Sequence, residues 1–373
     1  RISPSIPTIS AAVTACEGMS QWEMALHLFF KSEGVDGVDG ILMNSAISAA
    51  EKGGRWDVAL QLLGEFEERQ LKKTEITYTA AISACESSSK WEAALAVFVE
   101  MIRDLPGYSD HGIQVGSVLS CFQQVHGRPR TMEMLEDFRQ RFFSGTSGTI
   151  YGDQTDLCNP TELRRLESLV YSYKVLATAP GVLAIEKPAG TETHEAIQIL
   201  SQELQRTVTF VSRLDQTTSG IVPVVLGDDT SVAANWLRAQ WAARLVDKEY
   251  ICLCAGEFDV DGGEVTGNLR LSAENSMLME VSPDGRPART TYEVLASYPS
   301  PGGKVTRLSL LRVQPHTGRK HQIRIHLASI GRPLLGDKRY WPGTPDWCPR
   351  LFLHCRGLKF LDLRGKPLEI ECP

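Results

Sequence analysis

Arg213-Leu214-Asp215-Gln216-Thr217-Thr218-Ser219-Gly220 is the stretch on which the reading of this chain turns. Val208, Phe210 and Val211 lead into it, and Ile221-Val222-Pro223-Val224-Val225-Leu226 follows directly. Apolar, β-branched runs on either side of a polar segment predict strand, loop, strand. A carboxylate in that loop, with Arg two residues before it and a Gly turn after it, is well placed to project into a cleft. About 100 residues on, Pro315 to Leu327 sets Arg319, Lys320 and Arg324 among His316, His321 and His326.

At 373 residues the chain should hold two domains or one large one, and 42% hydrophobic content suffices for packed cores. Nine cysteines are scattered with no CxxC pair, which argues against a zinc ribbon or a disulfide framework. They read as buried reduced thiols of an intracellular protein. No apolar run approaches the roughly 18 residues that span a bilayer, so no membrane partner is expected. The first residue is Arg rather than Met, so the reading allows for a fragment and for a targeting segment before it.

The net charge of −6 is unevenly spread. Residues 1–150 hold 13 Lys/Arg and 19 Asp/Glu, whereas residues 151–373 hold 26 of each. Residues 304–339 carry nine basic side chains (Lys304, Arg307, Arg312, Arg319, Lys320, Arg324, Arg332, Lys338 and Arg339) against Asp337 alone. Such a patch is either a solvated face or a phosphate-binding one, and its overlap with the 315–327 segment favours phosphate.

The first third repeats itself. Ala15-Cys16-Glu17 leads to Trp22-Glu23-Met24-Ala25-Leu26, Ala49-Ala50-Glu51 to Trp56-Asp57-Val58-Ala59-Leu60, and Ala84-Cys85-Glu86 to Trp91-Glu92-Ala93-Ala94-Leu95. The tryptophans lie 34 and 35 residues apart, the period of a solenoid of stacked helical hairpins. The polar break before each Trp predicts the turn between helix A and helix B, and the tryptophans are expected to pack inside the solenoid. A weaker fourth unit covers residues 111–143. The period also suits tetratricopeptide repeats, which bind proteins. The lead-in Ile76-Thr77-Tyr78-Thr79-Ala80-Ala81-Ile82-Ser83-Ala84-Cys85 instead resembles a pentatricopeptide (PPR) repeat. That resemblance implies base reading by Ser10, Asn44 and Thr79, with second positions at Asp39, Thr74 and Asp110. The plainer alternative is that these residues cap or solvate their helices.

Residues 144–161, rich in Gly, Ser, Thr and Asp, read as a linker between domains at 1–143 and 162–373. A helix is expected over Thr161 to Tyr173. Beyond it, strand-like runs at Val182–Ile185, Ile221–Leu226, Tyr250–Leu253, Tyr292–Leu295, Val305–Val313 and Leu351–Leu353 alternate with helical patterns at Glu195–Gln205, Thr230–Ala243 and Lys320–Ile330. The fold class expected is thus an N-terminal all-α helical-hairpin solenoid, then an α+β domain on a mixed, largely antiparallel sheet.

The second domain, from about residue 174 onward, resembles the RluA-type RNA pseudouridine synthases in six ordered segments. These are Val182 to Gly190 with Thr193-His194, the Asp215 stretch, Lys248-Glu249-Tyr250-Ile251, Gly318 to Leu327, Ile330 to Tyr340, and Leu353 to Phe360. The resemblance implies a pseudouridine synthase fold that isomerises uridine within RNA without a cofactor. Asp215 would stabilise or capture the sugar carbon or help remove a sugar proton. Arg324 would pair with it and keep it ionised, its planar fork suiting a carboxylate. Tyr250 would stack on the flipped base, and Ile323 and Leu353 would wall it. Ser212, Arg213, Thr218, Arg319 and His321 would complete the substrate-binding set.

The chain departs from the family at Ser212, where the family usually has His before Arg-Leu-Asp; Ser can neither stack nor carry charge. The three histidines of 315–327 invite a metal reading, but Arg319, Lys320 and Arg324 would repel a cation, so no metal is expected. The partner expected is RNA (tRNA, rRNA or mRNA) and the chain is read as a monomer. The PPR resemblance makes mitochondrion or chloroplast plausible, with cytoplasm or nucleus also open. Rival readings are an inactive synthase fold serving as an RNA chaperone, and a synthase whose repeats bind protein.

Overall fold

Each repeat tryptophan is the first residue of a helix in the computed structural model, which describes residues 6–19, 21–32, 38–105, 111–143, 160–272, 277–301 and 306–373. The chain divides into two units, Arg1–Phe143 with Asn235–Ala243, and Ser144–Ala234 with Arg244–Pro373.

The helical unit runs α1 (Ile6–Gly18), α2 (Trp22–Lys31), α3 (Gly40–Lys52), α4 (Trp56–Glu68), α5 (Glu75–Ser87), α6 (Trp91–Asp104) and α7 (Gly112–Phe138). A kink at Gly127 breaks α7 into the two helices of the fourth unit. The B helices bury one narrow stripe: Ala59, Leu62, Leu63 and Phe66 in α4, and Ala94, Val97, Phe98 and Met101 in α6. That i, i+3, i+4, i+7 spacing is one helical face. The A helices bury a wider arc, Leu42, Met43, Ala46, Ile47, Ala49 and Ala50 in α3, repeated position for position in α5.

The turns repeat as well. The N–H groups of Gln21, Arg55 and Lys90 donate to the carbonyls of Cys16, Ala50 and Cys85 at 2.8–2.9 Å, closing each A helix one residue before its Trp. The tryptophans pack onward, as expected. Trp22 covers Gly53, where a Cβ would strike the indole, and Lys90 lies 5.2 Å over Trp56. Trp91 meets Phe122 edge-on at 5.0 Å. Each unit thereby lends its ring to the next, the coupling on which a solenoid depends.

Of the expected linker, residues 144–159 lie outside the described residues, and Pro160 and Thr161 already open a helix. The second unit contains α8 (Pro160–Leu169), β1 (Lys174–Ala179), β2 (Val182–Lys187), α9 (Thr193–Leu204), β3 (Thr209–Phe210), β4 (Ser219–Val225), and, beyond α10 (Val232–Ala242), β5 (Asp247–Ala255) and β6 (Gly262–Leu271). Then come β7 (Met279–Val281), β8 (Arg286–Pro299), β9 (Arg307–Pro315), α11 (Gln322–Ser329), β10 (Leu353–Leu361) and β11 (Pro367–Glu371). The sheet order is β1-β2-β4-β10-β5-β9-β8-β6-β7, with β11 on β10 and β3 on β4. Among the described residues only β4 and β10 pair in parallel, so the sheet is mixed and largely antiparallel, as expected. All seven residues of β4 are buried, which explains its unbroken apolar run.

Several boundaries differ from the sequence reading. The 161–173 helix ends at Leu169, and the strand expected at Leu351–Leu353 begins at Leu353 and runs to Leu361. Two of the second unit's apolar clusters join a helix to the sheet. Leu183, Ile185, Val222 and Val224 meet α9 through Ala196, Ile197 and Leu200, while α11 inserts Ile323 and Leu327 against Cys252, Leu311 and Val313. Asp215 lies on the loop entering β4, within reach of α11.

Candidate active site

The loop that carries Asp215 is fixed from below by residues to which the sequence reading assigned no individual role. Lys187, at the end of β2, is wholly buried, and its Nζ donates to the carbonyls of Pro188 (2.9 Å), Thr191 (2.7 Å) and Gln216 (3.4 Å). Thr193 Oγ1 donates to the Leu214 carbonyl and accepts from the Leu214 N–H at 3.1 and 3.3 Å. Gly190 N–H donates to the Gln216 carbonyl, and Thr218 N–H to that of Asp215. Burial brings the Lys187 ammonium down to about 8, against the pull of the Asp215 charge. The Asp215 side chain itself stays 31% exposed, and so open to a ligand.

Arg324 of α11 reaches Asp215 as the resemblance implied, but its fork is spent elsewhere. Nη1 donates to Asp215 Oδ2 at 3.2 Å, while Nε and Nη2 grip Asp337 bidentately at 2.8 and 2.7 Å. Asp337 is buried and also accepts from the Arg339 and Tyr340 N–H groups. Burial would pull the guanidinium down, yet the bonds to Asp337 and then Asp215 hold it above its ordinary value. The lone acid of the basic stretch is thus the anchor of its central arginine. The ring of Tyr340 lies 5.2 Å from that guanidinium, and its hydroxyl is 2.8 Å from His321 Nδ1. His321 Nε2 in turn lies 3.7 Å from Asp215 Oδ2.

Tyr250 on β5 faces this group half-buried. Burial raises its phenol well above the ordinary value, with the Cys355 thiol and Asp215 adding to the effect, so it stays protonated. It packs against the cluster containing Ile323 and Leu353. Register brings Tyr250 here: Cys355 of β10 pairs with Gly220 on one side and Tyr250 on the other. Gly220, at φ 117°, is required, because a Cβ there would lie in the Cys355 backbone.

Of the remaining candidates, Arg213 is exposed, Ser212 is half-buried, and Thr218 is buried, its hydroxyl without a hydrogen-bond partner among the described residues. Arg319 is committed to the protein at Nε, which donates to the Pro287 carbonyl at 3.2 Å. The basic stretch divides in space. Arg307 pairs with Glu257 at 3.2 Å, and Arg332 donates to the Glu257 carbonyl at 2.8 Å. Arg312 belongs to a ladder across four strands: Arg356 on β10, Glu249 on β5, Arg312 on β9 and Glu293 on β8, joined at 3.1, 3.4 and 2.6 Å. Lys320, Lys338 and Arg339 are exposed and lack an ion pair among the described residues, and Lys320 and Arg339 both bear electrostatically on His321. Lys304 lies outside the described residues.

In the repeats, Asn44 Oδ1 accepts from Thr77 Oγ1, and Thr79 Oγ1 accepts from Gln114 Nε2, both at 2.8 Å. Ser10 occupies the matching half-buried position on α1. Asp39 caps α3 by accepting from the Leu42 N–H, and Thr74 caps α5 in a box with Thr77. Asp110 lies outside the described residues.

Helical hairpins in one unit, and in the other a sheet that brings Asp215, Arg324 and Tyr250 together, define the class, and comparison with known proteins agrees. A family model described as RNA pseudouridylate synthase matches residues 180–329, and one described as PPR repeat matches residues 76–104, which are α5 and α6. Ribosomal large subunit pseudouridine synthase C of Vibrio vulnificus is 32% identical over 209 residues, 52% of this chain and 62% of that protein. Dual-specificity RNA pseudouridine synthase RluA of Pasteurella multocida is 40% identical over 150 residues, 40% of this chain and 64% of that protein. tRNA pseudouridine synthase C of Pasteurella multocida is 31% identical over 210 residues, 50% of this chain and 85% of that protein. The chain belongs to the RNA pseudouridine synthase family, in its RluA type, with PPR-like repeats in its first third. It spans 62% and 64% of the first two of these relatives.

Proposed function

We propose that this chain isomerises uridine in RNA to pseudouridine, using Asp215, Tyr250 and Arg324, while the repeats contribute to RNA recognition. The observation that carries the reading is the placement of Asp215: a partly exposed carboxylate on a fixed loop, paired with Arg324 and facing a protonated Tyr250. In the reaction the N1–C1′ bond breaks and a C5–C1′ bond forms; N1 gains a proton and C5 loses one. Asp215 supplies a charge or nucleophile for the sugar carbon, or takes a sugar proton. Arg324 stabilises the carboxylate, and Tyr250 offers its ring to the freed base. Ile323 and Leu353 back that ring. Ser212, Arg213 and Thr218, on the Asp215 loop, would complete the set that holds the flipped nucleotide, with Arg319 and His321.

In this reading residues 1–143 recognise RNA and residues 162–373 catalyse, with 144–161 as the link. Ser10, Asn44 and Thr79, with Asp39, Thr74 and Asp110, would read bases. The substrate is a tRNA, ribosomal RNA or messenger RNA, the enzyme acts as a monomer, and no metal takes part. The test is tritium release from RNA labelled at uridine C5, with chelator present. Wild type should release tritium and Asp215→Asn should fall by about a thousandfold or more, with RNA binding nearly unchanged. Undiminished release from Asp215→Asn sinks the mechanism, and release abolished by chelator sinks the metal-free reading.

A further inference from the structure

We propose that His321 is a positioning residue for Asp215, and that Tyr340 fixes its imidazole as the Nε2–H tautomer with that N–H turned toward the carboxylate. The catalytic consequence rests on the synthase reading; the geometry does not. The Tyr340 hydroxyl accepts from the Met279 N–H at 2.9 Å. Its own single proton has no acceptor among the described residues other than His321 Nδ1, 2.8 Å away, so the hydroxyl is the donor of this pair. A nitrogen that accepts cannot carry the ring proton, so the neutral ring bears it on Nε2. That atom lies 3.7 Å from Asp215 Oδ2, the same oxygen that Arg324 Nη1 reaches at 3.2 Å.

Two further observations point the same way. His321 sits at φ 54°, a left-handed conformation few non-glycine residues adopt, immediately before α11. Backbone held in that region tends to mark a site where side-chain direction matters. Tyr340 also lies against both groups that face Asp215, edge-on to the imidazole at 5.6 Å and 5.2 Å from the Arg324 guanidinium. The ring stays neutral because burial carries it down to about 4; Arg324, Arg339 and Lys320 push the same way and Asp215 opposes them. A neutral donor orients a carboxylate without adding a second full positive charge. Asp215 Oδ2 thus has Arg324 bonded to it at 3.2 Å and a neutral N–H 3.7 Å away, placed to orient it when the site tightens on a substrate.

The test reads the tautomer directly. In full-length protein labelled with ¹⁵N-histidine, the His321 signals are assigned by their loss in His321→Asn. Wild type should show an unprotonated Nδ1 and a protonated Nε2. Tyr340→Phe keeps the ring but removes the hydroxyl, so it should give a mixture of tautomers. Its single-turnover rate should fall about five- to tenfold, the scale of one neutral hydrogen bond, with RNA affinity unchanged. A wild-type His321 protonated on Nδ1, or in mixed tautomers, overturns the proposal whatever the enzyme's activity. So does Tyr340→Phe with the wild-type tautomer and a rate within about twofold of wild type. Should no RNA be turned over at all, the tautomer still decides the geometry, and the synthase reading fails separately.

Discussion

Arg324 holds two carboxylates on one guanidinium, and they are not equivalent. Asp337 is 1% exposed and takes the fork; Asp215 is 31% exposed and takes one nitrogen. Arg324→Ala should therefore do two kinds of damage. It strands a buried charge at Asp337, costing about 3–5 kcal/mol, and it removes the partner of Asp215. Adding Asp337→Asn should recover stability in urea unfolding but not tritium release. Recovery of both together would mean that Arg324 matters only for the fold. Lys187 makes a separate, pH-dependent contribution. Its folded value of about 8 lies below the ordinary 10.5, so between those limits the unfolded chain binds more protons and stability rises with pH. Below pH 8 the unfavourable burial of charge is fully present. The stability difference between wild type and Lys187→Met should thus move in favour of wild type by about 3 kcal/mol from pH 8 to pH 10.5; a difference that stays level would refute the assignment.

The elements were legible where periodicity reached the residues that pack. The repeat helices announced themselves because each turn, each Trp and each buried stripe recurs at the same spacing. Strand β4 was legible because burial on both faces leaves an unbroken apolar run. By contrast, β6 buries only Val265 and Leu269 and contains three glycines, so its pairing with β8 leaves little trace in composition. Strand β10 was placed too early because Arg356, Gly357 and Lys359 interrupt its apolar pattern where a bulge shifts the register. In the site, Asp215, Tyr250 and Arg324 were legible through ordered motifs. Lys187, Thr193, Asp337 and Tyr340 act through contacts that no local spacing encodes, although a single acid among nine cations was a clue to Asp337. The repeat candidates now separate by the work their side chains already do. Thr74 caps a helix, so Thr74→Ala should cost about 1 kcal/mol of stability with little change in RNA affinity. Thr79→Val removes a hydroxyl between helices that is half-exposed, and should weaken binding of RNA to catalytically silent Asp215→Asn protein by about fivefold. Equal affinity for both variants and their parent would leave the repeats without a reading role.

Over the whole molecule, charge sits differently in space than in sequence. Nine basic residues between 304 and 339 suggested a broad phosphate-binding face. Folding commits Arg307, Arg312 and Arg324 to carboxylates, and leaves Lys320, Lys338 and Arg339 exposed without such partners among the described residues. Replacing those three with Ala should lower the slope of log affinity against log salt by about two, with fold stability unchanged. The same change in slope from Arg312→Ala alone would contradict that division. The charge ladder from Arg356 through Glu249 and Arg312 to Glu293 then takes on a meaning beyond holding strands together. Its acidic rungs occupy guanidinium groups that would otherwise attract a polyanion. The carboxylates of Glu249 and Glu293 therefore set how much bare positive charge this stretch of sheet shows to solvent.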